Sequence, residues 1–245
     1  NEELVKKIAN LRLEIAQLLG YESHADYVLV NRMAENAANV NQLLDQLLAA
    51  YLPAAKEEVK AVQEMAARTE GKDFELMPWD WSFYSEKLRS EKYSLNDEMV
   101  RPYFKLENVT NGVFGLATRL YGITFVENKD IPVYHPDVKA YDVLDKDGSY
   151  LAVIYTDFFP RAGKRSGAWM TNFKEQYVKD GEDSRPHVSI TMNFTKPTES
   201  KPALLTQDEV ETFLHEFGHA LHGIFSATTY PSTGGTNVYR DFVEL

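Results

Sequence analysis

The sequence predicts a mainly α fold with a small β-sheet, an α+β arrangement. Three observations carry this reading. Apolar residues recur at helical spacing through the first 125 residues; branched and aromatic residues cluster in strand-length runs between 138 and 194; and helical periodicity returns after Thr206. A chain of 245 residues that is 44% hydrophobic can bury a sizeable core in one large domain or two small ones. The expected division is a helical region over residues 1–125 and a second region, 126–245, holding the sheet and two final helices.

The elements follow in order. Leu4, Ile8, Leu11, Ile15 and Leu18 form a stripe for helix-on-helix packing, ending at Gly20. A short helix is expected around Ala25–Met33. A long one follows through Val40, Leu43, Leu44, Leu47 and Leu48, with Pro53 expected to kink it and Gly71 as its stop. Pro78-Trp79-Asp80-Trp81 opens another helix, with Asp80 expected at its N-cap. Glu107–Tyr121 is amphipathic and closes at Gly122. Val138–Leu144 and Tyr150–Phe158 flank Asp145-Lys146-Asp147-Gly148-Ser149, which signals a β-hairpin. Val188–Phe194 alternates apolar and polar residues and reads as a half-buried strand, a candidate edge for pairing with a peptide backbone. Gly163–Gly167 and Thr195–Pro202 are polar connectors.

Bulk properties exclude several functions. A net charge of −11 argues against general nucleic-acid binding. There is no cysteine, so disulfides and thiolate metal sites are excluded. No apolar run approaches the roughly 18–20 residues of a membrane-spanning helix, so no membrane partner is expected. The first residues, Asn1-Glu2-Glu3-Leu4, lack an initiator Met and a signal pattern. A cytoplasmic monomer is expected, with a periplasmic location left open.

The chemistry concentrates after Thr206. Thr206-Gln207-Asp208-Glu209 has the pattern of a capping box and starts a helix. Val210, Phe213, Leu214, Phe217, Leu221, Ile224 and Phe225 are expected on its core face. His215 and His219 fall about 140° and 180° from Val210, with Glu216 in the same hemisphere. His215-Glu216-Phe217-Gly218-His219 is therefore an HExxH motif, with two imidazoles one turn apart for zinc and Glu216 as base for a water. Glu244, in a short helix beginning near Thr236 or Asn237, is the candidate third, anionic ligand; its other role would be an ion pair with Arg240. Asp241 is the candidate to orient a ligand histidine. His222 lies about two turns, roughly 10 Å, beyond His215 on a straight helix, too far for the same ion. Two imidazoles suit magnesium and calcium poorly.

These residues, with Gly235-Thr236-Asn237 and Arg240-Asp241-Phe242-Val243-Glu244, resemble the thimet oligopeptidase/neurolysin family of zinc metallopeptidases. Within it they are more similar to the bacterial peptidyl-dipeptidase (dipeptidyl carboxypeptidase) branch than to oligopeptidase A. Tyr121–Phe125, Tyr134–Val138 and Gly163–Trp169 support the likeness. The resemblance implies a zincin-like, mostly helical, two-lobed molecule with a deep channel. It also implies Zn2+ held by His215, His219 and Glu244, Glu216 as catalytic base, and oligopeptide substrates. It further implies substrate-binding tyrosines and histidines downstream of the third ligand. The sequence stops at Leu245, so the chain is expected to be a piece of a longer enzyme, and the absence of those downstream residues puts its activity in isolation in doubt. Three functions compete: release of C-terminal dipeptides, internal cleavage by a related endo-oligopeptidase, and an inactive helical module that binds peptides. Arg161, Lys164, Arg165 and Arg185 are chemically suited to a substrate carboxylate, although a solvated basic loop is the simpler reading.

Overall fold

The computed structural model describes residues 1–94 and 97–244. In chain order the helices and strands are α1 (Glu2–Leu18), α2 (His24–Leu29), α3 (Ala37–Glu70), α4 (Trp81–Tyr93), α5 (Asp97–Val100), α6 (Leu106–Tyr121), β1 (Thr124–Glu127), β2 (Lys139–Leu144), β3 (Tyr150–Asp157), β4 (Trp169–Lys174), β5 (Tyr177–Lys179), β6 (Glu182–Ser184), β7 (His187–Thr191), α7 (Gln207–Ile224) and α8 (Arg240–Val243). Leu245, expected on the apolar side of the last helix, lies outside the described residues. The chain forms two compact units, Asn1–Leu95 with Tyr239–Leu245, and Asn96–Val238. No helix among the described residues is long and apolar enough to cross a membrane.

The first unit is helical. Ser23 Oγ accepts the Asp26 N–H at 3.2 Å and starts α2, and Asn36 Oδ1 accepts the Asn39 N–H at 2.9 Å and starts α3. Helix α3 runs for 34 residues with Pro53 inside it and stops at Gly71, whose φ of 122° favours glycine. Its C-terminal half supplies Val62, Met65 and Ala66, which bury Tyr84 of α4. Phe74 meets that ring edge-on at 5.5 Å. One expectation fails here. The stripe Leu4, Ile8, Leu11, Ile15 and Leu18 is exposed, and only Ala16 of α1 is buried, because this unit gathers its core at the far end of α3. Asp80 stands at the N-cap position of α4 as expected but makes no side-chain capping bond there; its carboxylate accepts the Met77 N–H at 3.1 Å and closes the 3-10 turn Pro78–Asp80.

The second unit is a five-stranded sheet in the order β1-β2-β3-β7-β4, with a separate β5-β6 ribbon. Strands β2 and β3 pair antiparallel as the hairpin signal predicts, and Gly148 turns the loop at φ 84°. Strand β7 overturns an expectation. It lies parallel to β3 on one side and antiparallel to β4 on the other, so the edge on that side is β4. With both sides paired and both faces covered, Val188, Ser189, Ile190 and Thr191 are all buried. Alternation within β7 therefore separates two buried environments rather than core from solvent.

One face of the sheet receives α6 and α7. Val143, Ile154, Val188 and Ile190 join Val113, Phe114, Phe213, Phe217 and Ile224 in a single core. Phe114 stacks on Phe125 at 4.1 Å and approaches Phe217 at 5.8 Å. Helix α7 comes closest at Gly223, where a Cβ would stand 2.8 Å from Met170 Cε, 2.9 Å from Asn172 Oδ1 and 3.0 Å from Val188 Cγ1. The opposite face carries Val138, Ala140, Val153 and Tyr155. There the buried Asp157 collects the loop after β3. Arg161 binds both its oxygens at 2.7 and 2.8 Å, Lys164 Nζ donates at 2.9 Å, and the Tyr134 hydroxyl at 3.0 Å. Burial pushes the Asp157 carboxyl up, but Arg161, Lys164 and Tyr134 together pull it below the usual aspartate range.

Two outcomes follow from these contacts. Gly223→Ala lowers the midpoint of thermal unfolding by the equivalent of about 1–3 kcal/mol, because the added carbon overpacks the helix–sheet contact. Gly115→Ala on α6, where nothing lies within 4 Å, leaves the midpoint unchanged or raises it. Because its folded pKa is depressed, Asp157 contributes stability above its unfolded value of about 3.9. That contribution disappears as pH falls through the lower folded value. Urea unfolding between neutral pH and about pH 3 should therefore show a shallower acid loss for Asp157→Asn than for the parent.

Candidate metal centre

The site begins with the start of α7. Thr206 Oγ1 accepts the Glu209 N–H at 3.2 Å and Glu209 Oε2 accepts the Thr206 N–H at 2.8 Å, the reciprocal capping box read in the sequence. Just before it, the Leu205 N–H donates to the Phe104 carbonyl at 2.8 Å and the Leu106 N–H to the Ala203 carbonyl at 3.0 Å. These bonds fix the start of α7 beside the start of α6.

The buried face of α7 is Phe213, Glu216, Phe217, Ala220, Gly223 and Ile224. This differs from the expected stripe, since Leu214 and Phe225 are exposed and Glu216 is buried. The helix is rolled so that Ala220 and Gly223, which permit close approach, meet the sheet. His215 is then exposed and His219 half-buried. Their rings stand at 85° with Nε2 atoms 3.0 Å apart. Two nitrogens each about 2.0–2.1 Å from one tetrahedral zinc lie about 3.3–3.4 Å apart. The pair therefore fits one ion after a shift of a few tenths of an ångström. Glu216, between them in sequence, is only 8% exposed. His222 lines a separate hollow of about 500 Å³ with Gly218, Leu221 and Phe225. It belongs to no cluster of three metal-ligating groups among the described residues.

Glu244, the expected third ligand, is exposed at the end of α8, where Arg240 Nη2 stands 3.6 Å from its Oε1. Such an exposed pair contributes little to stability. Asp241 has a role within the first unit that the sequence did not suggest. Its two oxygens accept the Met33 and Ala34 N–H groups, each at 3.0 Å, binding α8 to the segment after α2. The first of these bonds is the largest cause of a carboxyl held below its usual range. With each oxygen accepting a backbone N–H, Asp241 is a structural clamp within the first unit.

A family model described as "Peptidase family M3" matches residues 1–245. The chain belongs to this family. It is 40% identical over 243 residues to "Dipeptidyl carboxypeptidase" of Escherichia coli (strain K12), covering 99% of this chain and 35% of that protein. It is also 40% identical over 247 residues to "Oligopeptidase A" of the same organism, covering 100% of this chain and 36% of that one. "Probable cytosolic oligopeptidase A" of Arabidopsis thaliana is 37% identical, with coverage of 100% and 36%. The chain thus spans about a third of the length of these relatives.

In this family member the C-terminal end of α7 is fastened by side chains that the sequence pattern did not single out for that purpose. Arg185, considered above for a substrate carboxylate, is fully engaged. It donates to the Leu151, Ile224 and Ser226 carbonyls at 2.8, 2.7 and 3.0 Å and pairs with Asp183 at 3.1 Å. Gln176 Oε1 accepts the Thr228 N–H at 2.8 Å and its amide donates to Asp183 at 2.8 Å. A glycine inside the helical pattern at 223 was the one available sign that this end packs closely. Arg185→Met should lower the unfolding free energy measured in urea by at least about 1.5–3 kcal/mol, the worth of one charge-assisted hydrogen bond. An unchanged midpoint would show that α7 is seated without this clamp.

Proposed function

We propose that this chain carries the metal-binding segment of a zinc peptidase that hydrolyses oligopeptides, releasing dipeptides from their C-termini. The observation that carries the reading is the convergent imidazole pair on a capped helix with a buried carboxylate between them. His215 and His219 are the nitrogen ligands and Glu244 is the anionic third; donor chemistry and the motif spacing support this assignment. When bound, zinc supplies Lewis acidity, lowering the pKa of a water toward about 7 and polarising the scissile carbonyl. Glu216 accepts the proton of the attacking water and delivers it to the leaving amine nitrogen.

A second reading is internal cleavage. The equal identity to a dipeptidyl carboxypeptidase and to oligopeptidase A favours neither mode. Peptides with an amidated C-terminus separate the two, since dipeptide release needs a free carboxylate and internal cleavage does not.

Elemental analysis of protein purified without chelator should find about one zinc per chain, with the content reduced in Glu244→Ala. Glu216→Gln should keep the zinc and, assayed in the longer enzyme that carries this segment, slow hydrolysis by roughly 10²–10⁴-fold. Unchanged hydrolysis in that variant would refute the role given to Glu216, and full zinc retention by Glu244→Ala would refute the third ligand.

A further inference from the structure

The sheet separates α7 from a second concave site on its other face. On β7, Val188 and Ile190 point into the core shared with α7, so Ser189 and Thr191 point the other way. Their partners across the β4 ladder are Thr171 and Trp169. A hollow of about 460 Å³ opens there, walled by Tyr134, Trp169 and Phe173 and edged by Arg161 and Arg165, with Ser189 in its lining. That volume lies in the range of small-molecule sites. The walls are ordered by ring contacts. Tyr134 meets Phe173 edge-on at 5.7 Å, and Phe173 meets Tyr155 at 5.5 Å.

Charge and unused donors indicate what the hollow takes. Arg161, Lys164 and Arg165 face one carboxylate, Asp157, leaving an excess of positive charge in a protein of net charge −11. Asp137, the other nearby acid, is bound by Lys196 at 2.6 Å. Lys164 spends its ammonium on Asp157 and on the Phe159 carbonyl. Arg161 gives two N–H groups to Asp157 and keeps others. The Arg165 guanidinium lies 5.1 Å over the Trp169 ring, and no acceptor reaches it among the described residues. Ser189 is 1% exposed. Burial raises the neighbouring Tyr134 phenol while Ser189 works against that shift. Even so, Ser189 Oγ has no hydrogen-bond partner of good geometry. A buried hydroxyl without a partner is costly unless something fills the need.

We propose that this hollow binds a small monocarboxylate bearing a flat apolar group, such as an aromatic amino acid or short peptide with a free C-terminus. Arg165 and the outer edge of Arg161 take the carboxylate, the aromatic walls take the ring, and Ser189 supplies a further hydrogen bond. The planar fork of a guanidinium matches a carboxylate. The apolar walls disfavour a strongly hydrated dianion such as phosphate. This site is independent of the metal reading, because the sheet lies between it and α7.

Calorimetric titration tests it with a metal chelator present, so that binding at a metal does not contribute. N-acetylphenylalanine should bind, and its amide should bind at least about tenfold more weakly, as should the acid to Arg165→Gln. Ser189→Ala should also weaken binding, with an unchanged thermal midpoint confirming that the variant folds. Equal affinity for acid and amide, undiminished binding to Arg165→Gln, no binding at all, or a preference for inorganic phosphate would each overturn the proposal.

Discussion

The close approach of α7 to the sheet at Gly223 is the constraint on which the second unit depends. Met170, Asn172 and Val188 occupy the space that any side chain at position 223 would need. The returning turn adds a second restriction. A Cβ on Gly235, whose φ is 55°, would stand 3.4 Å from the Gly223 Cα, so sheet, helix and return turn meet where both chains are reduced to backbone. The orientation of the whole helix follows from this contact. With Gly223 and Ala220 turned inward, Phe213, Phe217 and Ile224 reach the core and His215 is left at the surface. The direction of the two imidazoles is thus set about one turn beyond His219 and two beyond His215.

Charged groups in this unit act largely as fasteners. Asp157 and Arg185 are each enclosed and each hold several partners, and they differ in what they join. Asp157 gathers the loop that follows β3, while Arg185 links the start of β3 to the end of α7. Breaking either would leave buried polar groups without partners, which costs more than the net worth of the bonds themselves.

Much of this was legible in the sequence because local chemistry decides it. The capping box at Thr206 and Glu209, the stop at Gly71 and the β2–β3 hairpin are written within a few residues and appear where expected. The paired histidines were legible for the same reason, since one helical turn fixes their spacing. What was hidden depends on distant partners. Val188–Thr191 alternates like an edge strand, and only the arrival of β4, outside the hairpin pattern, makes it central. Trp169–Lys174 is not among the strands expected from the sequence, and its place at the edge of the sheet is set by non-local pairing with β7. Asp241 and Arg185 sit in contexts that suggest chemistry, but backbone groups far away in the chain claim them. The roll of α7 that buries Glu216 and exposes Leu214 follows from small residues, which hydrophobic periodicity does not weigh.

Strand β7 has a consequence for variation in this protein. It serves as a partition, with Val188 and Ile190 forming the seat of α7 and Ser189 and Thr191 the lining of the hollow. A slip of one residue would present Ser189 and Thr191 to the helix and bring Val188 and Ile190 to the basic pocket, damaging both sides at once. The two faces therefore share a single degree of freedom. Substitutions that adjust one must preserve the register that serves the other, so the strand ties two otherwise separate surfaces to a common history of tolerated change.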